Sequence, residues 1–268
     1  MKLNEFYKVL NELAPKALSD EYCAKYGAYD NSGILVDTGK EIGKVLFSLD
    51  LSLSAVQKAV EQGIDLIVTH HPALYAKINS VSVNDFGPLG EKLIACIQNG
   101  ISIVSMHLNL DCANGGIDES LQLGVCKSSG VENTVASVMH PLSVGGYGRA
   151  YDIQKITLSK LVENIKREFS TSKIVVYGDE SKVVDKIASF CGSGADESAI
   201  EFAYKQGAQA VISSDFKHHI LTLALEKGLS VIALTHYASE NYGFEKYYEK
   251  IRQSVAVSCA YHTDEQYI

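Results

Sequence analysis

Short apolar runs recur along this chain at intervals that suit strands alternating with helices. Lys44-Val-Leu-Phe-Ser-Leu-Asp50, Ile64-Asp-Leu-Ile-Val-Thr69 and Gly100-Ile-Ser-Ile-Val-Ser-Met106 are too short for helices. Their near-continuous apolar character reads as strands buried on both faces. A second series follows in the same order: Lys186-Ile-Ala-Ser-Phe-Cys191, Ala208-Gln-Ala-Val-Ile-Ser213 and Gly228-Leu-Ser-Val-Ile-Ala-Leu-Thr235. Helical segments separate the runs. Residues 54–63 and 198–207 both end in Gln-Gly, with glycine where a helix C-terminus turns left-handed. The next helices end at Asn99-Gly100 and Lys227-Gly228.

Strand–helix–strand–helix–strand, twice over, predicts a duplicated α/β unit with largely parallel sheets and right-handed crossovers. The expected organisation is two similar α/β halves, residues 1–125 and 126–268, packed as one compact protomer with a metal site between them. Lys127-Ser-Ser-Gly130 reads as a loop near that boundary. Residues 2–19 show an amphipathic face with Phe6, Leu10 and Leu13 at helical spacing. Val144–Tyr151 reads as a strand broken by glycines, and residues 171–181 as a strand and turn. Thr157–Phe169 reads as a helix capped by Thr157 or Ser159. Asn241–Ser254 reads as a Tyr-rich helix and Val255–Tyr261 as a late strand.

The 46% apolar content of the 268 residues is enough for a packed core. The formal net charge of −8, without a basic run, argues against sequence-independent nucleic-acid binding. The longest apolar stretches are too short to cross a bilayer. The N-terminus lacks the apolar core and cleavage site of a signal peptide. Six scattered cysteines without a C-x-x-C motif read as reduced thiols, and the expected location is cytoplasmic.

The candidate chemistry lies at the ends of the apolar runs, where open parallel sheets place their ligands. His107 and Asp111 follow one run; His236 and Glu240 follow its counterpart, with the same four-residue spacing. His70 and His71 end another, before Pro72. Neutral imidazoles and carboxylates are the ligands of a divalent metal centre. Adjacent side chains on a strand point to opposite faces, so His70 and His71 reach one centre only from a turn, which Pro72 favours. A carboxylate can bridge two cations about 3.5–4 Å apart while histidines fill terminal positions. Asp111 and Glu240 are the bridge candidates, and mixed nitrogen and oxygen ligation suits zinc, iron(II) or manganese. His218 and His219 align with His70 and His71 but run into a helix, so they read as structural. Asp30-Asn-Ser-Gly33 reads as a turn, Asp50 as a functional strand-end or a helix-entry residue, Gly192-Ser-Gly194 as a tight turn with an anion cradle as the alternative, and Cys112 as a packing residue with metal contact as the alternative.

The set Asp30-Asn-Ser-Gly33, Thr69-His-His-Pro72, His107-Leu-Asn-Leu-Asp111 and Thr235-His-Tyr-Ala-Ser-Glu240 resembles the Nif-three-like family, also called GTP cyclohydrolase 1 type 2 homologs. The resemblance runs from about residue 28 to residue 253. It implies a two-domain α/β protomer, two divalent metal ions between the domains, and a toroidal homohexamer. It also implies His70, His71, Asp111, His236 and Glu240 as metal ligands, with His107 in the matching motif as a catalytic candidate. Some members carry a long inserted domain, which this chain is too short to contain. Tyr29 stands where many relatives have tryptophan.

Two functional readings follow. One is a metal-dependent hydrolase acting on a small molecule such as a nucleotide, with water activated by two ions and the GTP imidazole ring as one substrate. The other is a non-enzymatic metal-binding scaffold or regulator working through protein partners. The aromatic-rich segment 237–248 is a contact surface on that second reading, and an internally packed helix on the plainer one.

Overall fold

A computed structural model describes residues 1–267 except Lys77, Asn79, Asp85, Phe86 and Asn133. Two helices open the chain, α1 (Leu3–Leu13) and α2 (Lys16–Tyr26). Then come β1 (Gly33–Val36), β2 (Lys44–Ser48), α3 (Leu53–Gln62), β3 (Leu66–Thr69), α4 (Leu89–Asn99), β4 (Ser102–Ser105) and the single turn α5 (Leu108–Cys112). The middle of the chain holds α6 (Ile117–Ser129), β5 (Ala136–Pro141), β6 (Gly146–Thr157), α7 (Leu158–Glu168) and β7 (Val175–Tyr177). The remainder is β8 (Val183–Ser189), α8 (Glu197–Lys205), β9 (Ala210–Ser213), α9 (His218–Glu226), β10 (Ser230–Ala233), α10 (His236–Ser254) and β11 (Ser258–His262). The mixed α/β class expected from the alternating runs is the one observed.

The chain divides into two compact units, Met1–Ala113 with Phe244–Glu265, and Asn114–Gly243 with the last residues. Residue 125, where the apolar pattern placed the boundary, falls inside α6. The Lys127-Ser-Ser-Gly130 segment, read as a loop, is the end of that helix, with Gly130 as its left-handed C-cap. Its residues are mostly buried, so burial overrode the local loop composition.

The first unit holds a five-stranded sheet in the order β1-β4-β3-β2-β11. Strands β4, β3, β2 and β11 are parallel, and β1 is antiparallel at one edge. Side chains alternate across these strands. Leu46, Ile67 and Ile103 join Val56, Ala59, Leu93 and Cys96 of the helices in one core cluster. On β2 the alternate residue Phe47 packs against Phe244, Tyr247 and Tyr248 of α10. The aromatic residues of α10 are thus spent internally: Phe244, Tyr247 and Tyr248 are buried. Phe6 and Leu10 of α1 are fully buried as expected, whereas Leu13 is 40% exposed because the helix ends there.

The second unit holds a six-stranded sheet in the order β5-β6-β8-β9-β10-β7. Its centre, β8-β9-β10, is parallel and repeats β2-β3-β4 of the first unit. Its flanks, β5, β6 and β7, run antiparallel. This sheet is therefore less parallel than the duplication alone suggests, because the second copy adds a hairpin and an edge strand. Ala199, Ile200 and Ala203 of α8 and Ile220 and Ala224 of α9 cover one face. Leu158, Leu161, Val162 and Ile165 of α7 are also buried.

Candidate metal centre

In the first unit the candidate residues leave the carboxyl ends of β3 and β4. Strand β3 stops at Thr69, and the amides of both His70 and His71 donate to the Leu49 carbonyl, at 3.1 and 3.0 Å. Two successive amides aimed at one oxygen bend the backbone out of its pleat. The bend brings the rings together, with centroids 4.8 Å apart. His107 follows β4, and one ligand atom from each of His70, His71 and His107 lies within 4.8 Å of the others. Asp111 sits on α5, one turn after His107, and its Oδ1 is 3.5 Å from His70 Nε2.

In the second unit, β10 feeds into α10, whose first residue is His236. Glu240 lies one turn on, its Oε1 3.1 Å from His236 Nε2. Gly192, in the loop after β8, makes room for this carboxylate. Its φ is +54°, and a Cβ there would overlap Glu240 Oε1. Its amide donates to Ser239 Oγ, and its carbonyl accepts from the hydroxyls of Ser213 and Ser214. The Gly192-Ser-Gly194 segment is thus a tight turn packed beside Glu240.

One pattern runs through all four clustered histidines. Each ring presents Nδ1 to an oxygen: His70 to the Met106 carbonyl at 2.8 Å, His71 to Asp50 at 2.8 Å, His107 to Asp30 at 2.7 Å, and His236 to Asp215 at 2.5 Å. A carbonyl or carboxylate can only accept, so the proton belongs on Nδ1 and the lone pair on Nε2. This is the arrangement found behind metal-bound imidazoles, fixing tautomer and ring orientation. It has a consequence for the two close pairs. With its lone pair on Nε2, each of His236 and His70 faces a carboxylate oxygen that also carries lone pairs, a pairing that a cation could hold together. Metal–ligand bonds of about 2.0–2.2 Å place two ligand atoms about 2.8–3.6 Å apart on one ion, for angles from about 90° to tetrahedral. The observed 3.1 and 3.5 Å match that span.

The Asp30 carboxylate is shielded from solvent by its surroundings. Burial pushes its pKa up, but hydrogen bonds from His107, Ser19 and Ser32 and the attraction of the His107 ring outweigh that and hold it well below the usual carboxylate value. It stays ionised as the partner of His107. In sequence, Asp30 marks a turn, and Asp50 is a strand-end residue with a functional or a helix-entry reading. The fold instead sets each behind a histidine. Asp215 was not singled out at all. It lies two residues beyond β9 with φ +51°, a conformation uncommon outside glycine, though aspartate is among the residues that tolerate it. A carboxylate at a strand end was its only sequence signal.

His218 and His219 open α9 and are exposed. His262 pairs with Asp264 away from these clusters. Cys112 is buried on α5 and is absent from the grouped ligand atoms of the described residues.

Comparison with known proteins matches this geometry to a family. The chain is 31% identical over 257 residues to a GTP cyclohydrolase 1 type 2 homolog of Clostridium perfringens, covering 94% of this chain and 92% of that protein. It is 34% identical over 254 residues to the GTP cyclohydrolase 1 type 2 homolog of Methanocaldococcus jannaschii, covering 93% and 94%. Among solved structures, reduced HcgD from Methanocaldococcus jannaschii superposes with a TM-score of 0.77 at 28% identity, covering 97% of each chain. A Staphylococcus aureus hypothetical protein, SA1388, superposes with a TM-score of 0.80 at 22% identity, covering 98% and 96%, which bears on the fold alone. The family model described as Duf34/NIF3 (NGG1p interacting factor 3) matches residues 1–264, and the chain belongs to that family.

Proposed function

We propose that this protein is a metal-dependent hydrolase whose ligands, His70, His71, Asp111, His236 and Glu240, hold two divalent cations. The observation that carries the reading is the shared Nδ1 anchoring of His70, His71 and His236, which leaves their Nε2 lone pairs for ligation, with His107 anchored in the same way for proton transfer. Zinc, iron(II) and manganese fit the mixed donor set. When bound, such a pair lowers the pKa of water and supplies hydroxide near neutral pH.

The chain's own residues account for the rest. Asp111 and Glu240 bring negative charge that offsets two cations. Asp50 and Asp215 hold the His71 and His236 rings in register. His107, partly exposed and backed by ionised Asp30, is placed to take or give a proton at Nε2. Tyr75 meets the His107 ring edge-on, with centroids 5.9 Å apart. The names of the curated relatives direct the substrate search to GTP, with hydrolytic opening of its imidazole ring as the reaction. Assembly as a homohexamer in the cytoplasm belongs to the same proposal, and sedimentation velocity tests the assembly. Among the described residues, no helix is long and apolar enough to cross a membrane.

The test is reconstitution with zinc, iron(II) or manganese and a mass-spectrometric assay over GTP, other nucleotides and phosphoesters. The proposal expects two ions per chain and metal-dependent turnover, both lost in Asp111→Ala and in Glu240→Ala. Full metal loading without turnover of any compound would favour the scaffold reading. Metal retained by both variants would reject the shared ligand set.

A further inference from the structure

Arg149 lies on β6 of the second unit with only 7% of its side chain exposed. Its Nε is 3.0 Å from Asp118 Oδ2, and one Nη2 hydrogen goes to the Gly146 carbonyl at 3.3 Å. A guanidinium has five N–H donors. Nε meets Asp118 as an ion pair without hydrogen-bond geometry, and the other three N–H groups find no acceptor among the described residues. A charged side chain so nearly withdrawn from water is costly while its donors lack acceptors. Asp118 is differently placed: its two oxygens also accept the amides of Gly148 and Cys191, at 3.0 and 3.2 Å. It is anchored to two backbone segments and is not available to turn toward the rest of the guanidinium.

The same arginine forms part of the wall of a cavity of about 310 Å³, with Glu119, Gln122, Thr134, Val135 and Ala136. Glu119 Oε2 accepts the Gly115 amide, and Gln122 Nε2 donates to the Thr134 carbonyl at 2.8 Å. That leaves Glu119 Oε1 and Gln122 Oε1 as acceptors on residues that line the same cavity as Arg149. We infer that this cavity binds an oxyanion carrying its own hydrogen-bond donor, hydrogen phosphate being the smallest case. Arg149 takes the charged oxygens in the forked geometry that suits phosphate. Glu119 and Gln122 take the proton that hydrogen phosphate retains at neutral pH. Sulfate has the same shape and charge but no proton at that pH. It would set lone pairs against the Glu119 carboxylate and is rejected. The inference stands apart from the metal reading, since none of these residues is a candidate metal ligand.

The experiment is calorimetric titration of EDTA-treated protein at neutral pH with inorganic phosphate, sulfate and glycerol phosphate. Removing metal keeps phosphate from binding any ion at the histidine cluster. Phosphate is expected to bind once per chain and more tightly than sulfate by about tenfold or more, the worth of one hydrogen bond to a charged group. Two variants locate the site. Ala136→Met fills the cavity and leaves the Arg149–Asp118 pair alone. Arg149→Lys keeps a charge against Asp118 and loses the fork. Each is expected to weaken phosphate by a similar factor, with the melting temperature in the absence of phosphate showing that the fold is kept. If Arg149→Lys does not fold, Ala136→Met decides by itself. Competition by glycerol phosphate would identify the ligand as the phosphate end of a larger molecule, and lack of it as the free ion; both support the inference. Equal binding of phosphate and sulfate, wild-type affinity in Ala136→Met, or no saturable binding to the wild type would overturn it.

Discussion

His70 and His71 are neighbours that a regular strand would send to opposite faces. Only the shared Leu49 carbonyl turns both rings to one side. The histidines themselves were readable as strand-end residues, but their anchors were not. Asp30 and Asp50 lie 77 and 21 positions from the rings they hold, separations no local pattern encodes. The anchors make two predictions. Asp215→Asn removes the charge behind His236 and permits the wrong tautomer. It is expected to weaken metal binding by about 10–100-fold, measured by competition with a chromogenic chelator. Unchanged affinity would separate Asp215 from ligation. Gly192→Ala acts by space and backbone strain. A Cβ at φ +54° costs about 1–2 kcal/mol and displaces Glu240. Urea denaturation should show that loss of stability, and metal analysis should show lost stoichiometry; full loading in the variant would contradict the packing argument.

Elements were the most legible level of this chain. The short apolar runs predicted β2, β3, β4, β8, β9 and β10, because a strand buried on both faces has little freedom in composition. Helix ends were read less well. Thr157 is the N-cap of α7, yet its side chain makes no capping bond, whereas Asp196 caps α8 by accepting the Ala199 amide at 2.8 Å. Asp196→Ala should therefore cost about 1 kcal/mol in urea denaturation, and Thr157→Ala only a few tenths. Equal costs would show that residue type, rather than the bond formed, sets cap strength here. The run Lys127–Gly130 misled because serine and glycine favour loops locally, and burial of α6 against its surroundings prevailed.

At the scale of the molecule, the C-terminal strand is informative. Residues 258–262 return to the first unit and pair in parallel with β2, more than 200 positions away. A division into consecutive halves could not anticipate that, since sheet order is settled by which edge remains open. The metal proposal makes a prediction at this scale. Ions that bind the folded state alone raise its stability by about 2.7 kcal/mol at a hundredfold excess over Kd. For a chain of this size that is about 5–10 °C in melting temperature. Calorimetry with zinc or manganese should show the rise and EDTA should reverse it. Absence of any shift in the wild type would count against a metal centre built from folded-state ligands.

The thiols add a measurement of the same kind. Burial raises Cys96 to about 11, as it does Cys259, with nearby Lys92 and Arg252 respectively pulling the other way. Both are therefore neutral thiols at pH 8 and should resist iodoacetamide until the chain unfolds. Rapid alkylation in the native state, followed by mass spectrometry, would contradict this.

Sequence alone determined which residue types stand at the strand ends, and hence the α/β class, the repeated strand–helix order and the imidazole–carboxylate pairs four residues apart. These depend on periodicity and local spacing, which the linear chain carries in full. Tertiary structure alone decided that His70 and His71 share a carbonyl, that four imidazoles are backed by oxygen through Nδ1, and that Gly192 clears space for Glu240. Each of these depends on atoms brought together by packing from distant parts of the chain, where orientation and volume, rather than residue identity, select the partner.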